Sequence, residues 1–106
     1  VTEGKFGAYI GSEVTIGHNA VVHACTLEDN CFVGISATVL DGAVVERDAM
    51  VAAGALVTPG TRVKSGELWG GCPAKRMRSL SEEELAHFPE LVEHYVALAA
   101  EYLAAE

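Results

Sequence analysis

At 106 residues, half of them apolar, the chain has the size of one small domain and enough hydrophobic content to fold. Its formal charge of −8 is unevenly placed: from Ser79 onward there are seven acids and no Lys or Arg, while the remainder sets eight acids against seven bases. No basic stripe is available to displace counterions from a nucleic acid, and no uninterrupted apolar run approaches the ~18 residues of a membrane-spanning helix.

Val1 is not an initiating Met and falls within a repeat, so the chain reads as part of a longer protein. Further coils and any targeting peptide are expected upstream. From Ile10 the sequence divides into sixes. IGSEVT and IGHNAV open at Ile10 and Ile16, and a five-residue rung runs from Val22 to Thr26. LEDNCF, VGISAT, VLDGAV, VERDAM, VAAGAL, VTPGTR and VKSGEL then follow from Leu27.

Each of these hexads opens with a branched aliphatic: Leu27, Val33, Val39, Val45, Val51, Val57 and Val63. The fifth position is mostly small (Cys31, Ala37, Ala43, Ala49, Ala55, Thr61) and fails only at Glu67. A period of six is not a helical period. It predicts an all-β solenoid, a left-handed parallel β-helix of hexapeptide repeats with three short strands to a coil. The aliphatic points inward, the small residue sits near a corner, and Gly17, Asn30, Gly42, Asp48, Gly54 and Gly60 make the bends. Glu46 is expected to face solvent. The visible solenoid spans about three coils from Ile10 to Leu68, and its first coil should expose an apolar end.

Within this pattern, His18 and His23 stand five apart around the short rung. They should project from nearby faces of the prism, too far apart to chelate one ion within a chain. Two neighbouring prisms could bring them together, and neutral imidazole is the commonest zinc ligand. From spacing alone, ordinary surface histidines are the default reading. Cys25, Cys31 and Cys72 form no C-x-x-C pair and are expected to be reduced thiols packed as small hydrophobes.

Trp69 to Arg78 should leave the solenoid irregularly through Gly70, Gly71 and Pro73. Lys75, Arg76 and Arg78 make the one basic cluster, expected to pair with the acidic tail or a neighbouring subunit. Ser81 to Glu84 is a capping box, which predicts a helix near Ser81 to His87. Pro89 suits the first turn of a second helix reaching about Ala104. Leu91, Tyr95, Leu98 and Tyr102 would form its apolar face, with His87 and His94 solvated. The expected division is thus residues 1–80 as solenoid and exit, and 81–106 as a helical region packed on the solenoid or a neighbouring subunit.

The segment I-G-H-x-A-V-x-H-x-C-T-x-E-D-x, then V-G-x-x-A-T-V-L-D-G-A-V-V-E, M-V-A-A-G-A-L-V and G-E-L-W-G-G-C-P-A-K-R-M-R, closely resembles the γ-class carbonic anhydrases. That resemblance implies reversible hydration of CO2 to bicarbonate by a trimer of identical or paralogous subunits. It implies Zn2+, or another divalent metal, at the subunit interfaces. His18 and His23 would be two of three ligands, His23 joining an upstream histidine of its own chain and His18 reaching the neighbour's metal. The third histidine and the catalytic acids are expected upstream of Val1, so no catalytic residue is named. Where the family offers a Tyr and an Asn near the metal, this chain has Tyr95 and Ala97, and Tyr95 reads as a packing residue.

V-V-E-x-x-A-M-V-A-A-G and G-E-x-W-G-G-x-P-A-K also resemble the γ-carbonic anhydrase-like subunits of mitochondrial respiratory complex I. This implies the matrix side of the inner membrane, beside the membrane arm of that complex, with a bacterial cytoplasmic protein as the alternative. A catalytically inactive structural subunit is a second reading. A hexapeptide acyltransferase is a third, since G-x-P-A-K-x-x-R occurs there too. It would use acyl-CoA and one His as base, and it leaves the other histidine without a role.

Overall fold

A branched aliphatic every sixth residue produces two-residue strands separated by corners. The structure, a computed structural model, describes residues 8–94. Its strands are β1 (Tyr9–Ile10), β2 (Thr15–Ile16), β3 (Val21–Val22), β4 (Thr26–Leu27), β5 (Phe32–Val33) and β6 (Thr38–Val39). There follow β7 (Val44–Val45), β8 (Met50–Val51), β9 (Leu56–Val57), β10 (Arg62–Val63), β11 (Glu67–Gly70) and β12 (Lys75–Ser79). Every third strand stacks in parallel on the same face, giving β1-β4-β7-β10, β2-β5-β8-β11 and β3-β6-β9. The result is the expected all-β parallel solenoid, about three turns long.

Stacking explains the burial. Leu27, Val33, Val39, Val45, Val51, Val57 and Val63 are fully buried, and so are Ala37, Ala43 and Ala49 at the small position. In the first described coil, Ile10 and Val22 are only half-buried and Ile16 is 39% exposed. Bonds between coils satisfy the backbone, as in Gly34 N to Val51 O and Ala52 N to Trp69 O, each 2.8 Å.

One residue at each corner adopts a left-handed conformation: Glu13, Asn19, Ala24, Asn30, Ser36, Gly42, Asp48, Gly54, Gly60 and Gly66. The step is six throughout except from Asn19 to Ala24, the short rung. Gly17 is not among them, which corrects its assignment as a bend. It serves close approach instead: a Cβ there would lie 2.6 Å from the Ile35 nitrogen, and one on Gly34 would lie 2.6 Å from the Ala53 nitrogen.

The exit is not irregular. β11 pairs in parallel with β8 and antiparallel with β12, so the chain leaves as a hairpin through residues 71–74. Ala74 N bonds Leu56 O at 2.8 Å, and Ala74 is buried against the solenoid core. Arg76 bonds Glu67 rather than the tail, whereas Arg78 makes the expected tail contact through two bonds to the Glu84 carboxylate. Glu46 is no free surface acid either, since it pairs with Arg62 and accepts from Ser65 N at 3.0 Å.

Helix α1 (Glu82–Ala86) starts at Ser81 with both bonds of the capping box. Helical backbone resumes at residues 88–94, placing Pro89 in a first turn as expected. Leu80, Phe88, Leu91 and Val92 pack on Phe32, Met50 and Leu68, the outward residues of the β2-β5-β8-β11 face. His87 and His94 are exposed. Tyr95, Ala97, Leu98, Tyr102 and the expected helix end near Ala104 lie outside the described residues. No helix among the described residues is long and apolar enough to cross a membrane.

Candidate metal centre

In nearly every rung, two residues lie between a strand and the following left-handed corner. After β2 these are Gly17 and His18, ahead of Asn19; after β6 they are Leu40 and Asp41, ahead of Gly42. After β3 the rung is one residue short, and His23 alone stands before Ala24. His18, His23 and Asp41 therefore all occupy the position just ahead of a corner. The shortened rung brings His23 into line with Asp41 on the next coil.

The alignment is tight. His23 Nδ1 lies 2.6 Å from Asp41 Oδ1. An ionised carboxylate only accepts, so the ring nitrogen donates. Both residues sit on fixed backbone: His23 N bonds Val39 O at 3.0 Å, Gly42 N bonds Ala24 O at 2.8 Å, and Gly60 N bonds Asp41 O at 3.0 Å. Their side chains are nonetheless open to solvent, 63% and 64% exposed. Among the described residues, Nε2 of His23 has no partner.

His18 is likewise exposed, at the opposite end of β3, with its carbonyl accepting from Ser36 N at 2.9 Å. The two histidines therefore flank one face. That face carries Val21, Thr38 and Leu56 outward in register, and Val21 is 51% exposed. No cluster of three or more His, Cys, Asp or Glu that could hold a metal exists among the described residues.

Several other titratable groups are set by packing and pairing. Burial keeps Cys31 protonated, pushing its thiol up to about 12, and burial also raises the Cys25 thiol. Neither is poised as a nucleophile or thiolate ligand at neutral pH. Cys72 is exposed, so the expectation that all three cysteines pack as hydrophobes holds for only two. The Arg62 hydrogen bond holds Glu46 below the ordinary carboxylate range, and the Trp69 indole bond does the same for Glu67. Glu67 thus breaks the small-residue rule because it ties together Trp69 and Arg76. Surface depressions of about 330 Å³ beside Ser81, His87 and His94, and about 250 Å³ beside Tyr9 and Arg47, include neither His18 nor His23.

Asp41 is the partner of His23 that sequence reasoning missed. Its signal was the 18-residue offset from His23, one coil length, combined with the missing residue of the short rung.

The family described as the hexapeptide repeat of succinyl-transferase matches residues 25–59. The chain is 57% identical over 90 residues to gamma carbonic anhydrase 2, mitochondrial, of Arabidopsis thaliana, covering 85% of this chain and 32% of that relative. It thus spans about a third of that relative's length. Among solved structures it is similar to a hexapeptide transferase family protein from Anaplasma phagocytophilum, at 45% identity and a TM-score of 0.69 over 90% of this chain and 61% of that one. A Bacillus cereus protein provisionally assigned as an acetyltransferase superposes with a TM-score of 0.71 at 26% identity, over 93% of this chain and 63% of that one.

Proposed function

We propose that the chain is part of a subunit that hydrates CO2 reversibly at a zinc site between subunits, a reading supported by the hexapeptide-repeat match over residues 25–59 and by the 57% identity to a plant gamma carbonic anhydrase. The observation that carries this reading is the pair of exposed histidines at the two ends of the β3-β6-β9 face, one of them held by a carboxylate. A single prism offers two imidazoles at opposite ends of one face. A second copy against the apolar strip of Val21 and Leu56 would bring the His18 of one chain toward the His23 of the other, and a trimer repeats that contact three times.

The donor set fits the ion. Neutral imidazole is a good zinc ligand, and a ligating histidine ordinarily donates its other ring N–H to a carboxylate, the arrangement between His23 and Asp41. The chemistry such an ion supplies is Lewis acidity that activates water at neutral pH. The chain's own residues do the rest. His23 would bind through Nε2, His18 would complete a neighbour's ligand set, and Asp41 would orient His23. The apolar side chains of the face would exclude bulk water once packed. The third ligand would come from outside residues 8–94.

A mitochondrial location is supported by the name of the plant relative, while relatives from bacteria stand beside it. A second reading is supported by the same pair: a histidine oriented by a carboxylate is also suited to act as general base in acyl transfer, and acetyltransferase-like folds superpose well.

Metal analysis of the full-length protein, with CO2 hydration and acetyl-CoA turnover assayed in parallel, separates the readings. Stoichiometric zinc and chelator-sensitive hydration are expected. Zinc without hydration would point to an inactive structural subunit, such as one attached to a respiratory complex. Acetyl-CoA turnover with no bound metal would replace the proposal by acyl transfer.

A further inference from the structure

We infer that Asp41 is a positioning residue for the metal site: its carboxylate locks His23 in the Nδ1–H tautomer and so leaves Nε2 as the nitrogen available for an ion. This deepens the metal-site reading above and rests on it.

Three observations carry the inference. First, the 2.6 Å contact is short for a nitrogen–oxygen pair, just under the usual span of charge-assisted bonds from nitrogen to a carboxylate. Second, it joins two coils whose backbones are pinned by ladder bonds on either side, so the geometry does not depend on a flexible loop. Third, both side chains are about two-thirds exposed. At such exposure a bond made only for stability contributes little. Shortening the rung by one residue breaks the step of six that every other corner keeps. A distortion of the backbone that yields a weak surface bond has no evident structural return, whereas one that aims an imidazole does.

An imidazole without a partner exchanges between two tautomers and rotates. A fixed carboxylate removes both freedoms before the ion arrives, so less ordering remains to be done on binding.

The test uses the full-length protein, stripped with a chelator and titrated with zinc alone. Two readouts are taken for wild type, Asp41→Ala and Asp41→Asn: zinc affinity, and the ring nitrogen shifts of His23 in the metal-free state. Wild type should show Nδ1–H. Asp41→Ala should lose the tautomer preference and weaken zinc by ~10–100-fold. Asp41→Asn, which keeps a neutral acceptor, should fall between. Circular dichroism of each variant reports whether the solenoid is intact, and the exposed position of Asp41 predicts that it is. If Asp41→Ala leaves either the tautomer or the affinity unchanged, the inference is wrong while the metal site stands. If wild type itself takes up no zinc, the metal site falls and the inference with it.

Discussion

Ala24 sits in a left-handed corner at φ 49° with neither glycine's freedom nor a polar side chain to bond its own backbone. Every other such corner is Gly, Asn, Ser, Asp or Glu. Gly34 presents the opposite case, since its φ is ordinary but an added Cβ would sit 2.6 Å from the Ala53 nitrogen and 2.8 Å from the Ala52 carbonyl carbon. Denaturant titration should therefore give opposite signs. Ala24→Gly should be neutral or stabilising by up to ~1 kcal/mol, because relief of strain exceeds the added freedom of the unfolded chain. Gly34→Ala should lose ~1–3 kcal/mol, because backbone on the next coil must shift. Equal effects would mean that the corners and the close approaches have been confused. In the sequence they look alike, which is why Gly17 reads as a bend: a glycine's presence is legible, but whether it serves φ or space depends on the coil stacked beside it.

At the level of elements, the helical tail is fastened to the hairpin by Arg78. Its two bonds to Glu84, with the Ser81 backbone N–H, hold the Glu84 carboxyl down to about 2. A carboxyl depressed in the folded state adds stability above its ordinary value of 4.5, and that contribution is lost as pH falls toward 2. Wild type should thus lose stability more steeply than Glu84→Gln between pH 4.5 and 2. The variant should be the less stable at pH 7, with the difference closing near pH 2. Thermal melts across that range check it, and parallel curves would contradict it. The capping box and Pro89 made the tail readable, because both act through local backbone chemistry. The hairpin was not readable: G-G-C-P breaks the pattern, and Lys75–Ser79 is exposed throughout, so β12 shows no alternation of apolar and polar residues. It pairs because β11 offers it an edge.

For the whole molecule, the period of six made the solenoid legible, since an inward residue in one coil must stack on an inward residue in the next. The pairing of His23 with Asp41 is a contact between coils, visible only once the short rung is laid over its neighbour. The two histidines themselves were legible, and the fold places them at opposite ends of the β3-β6-β9 face. The central proposal is that each zinc takes His23 from one chain and His18 from another. The most direct test is metal analysis of full-length His18→Ala and His23→Ala, each alone and then co-refolded together. Each variant alone should lose its zinc. In mixed trimers some interfaces pair an intact His18 with an intact His23, so part of the zinc should return. Loss without recovery would place the site within a single chain, and no loss in either variant would mean that these histidines bind no metal at all.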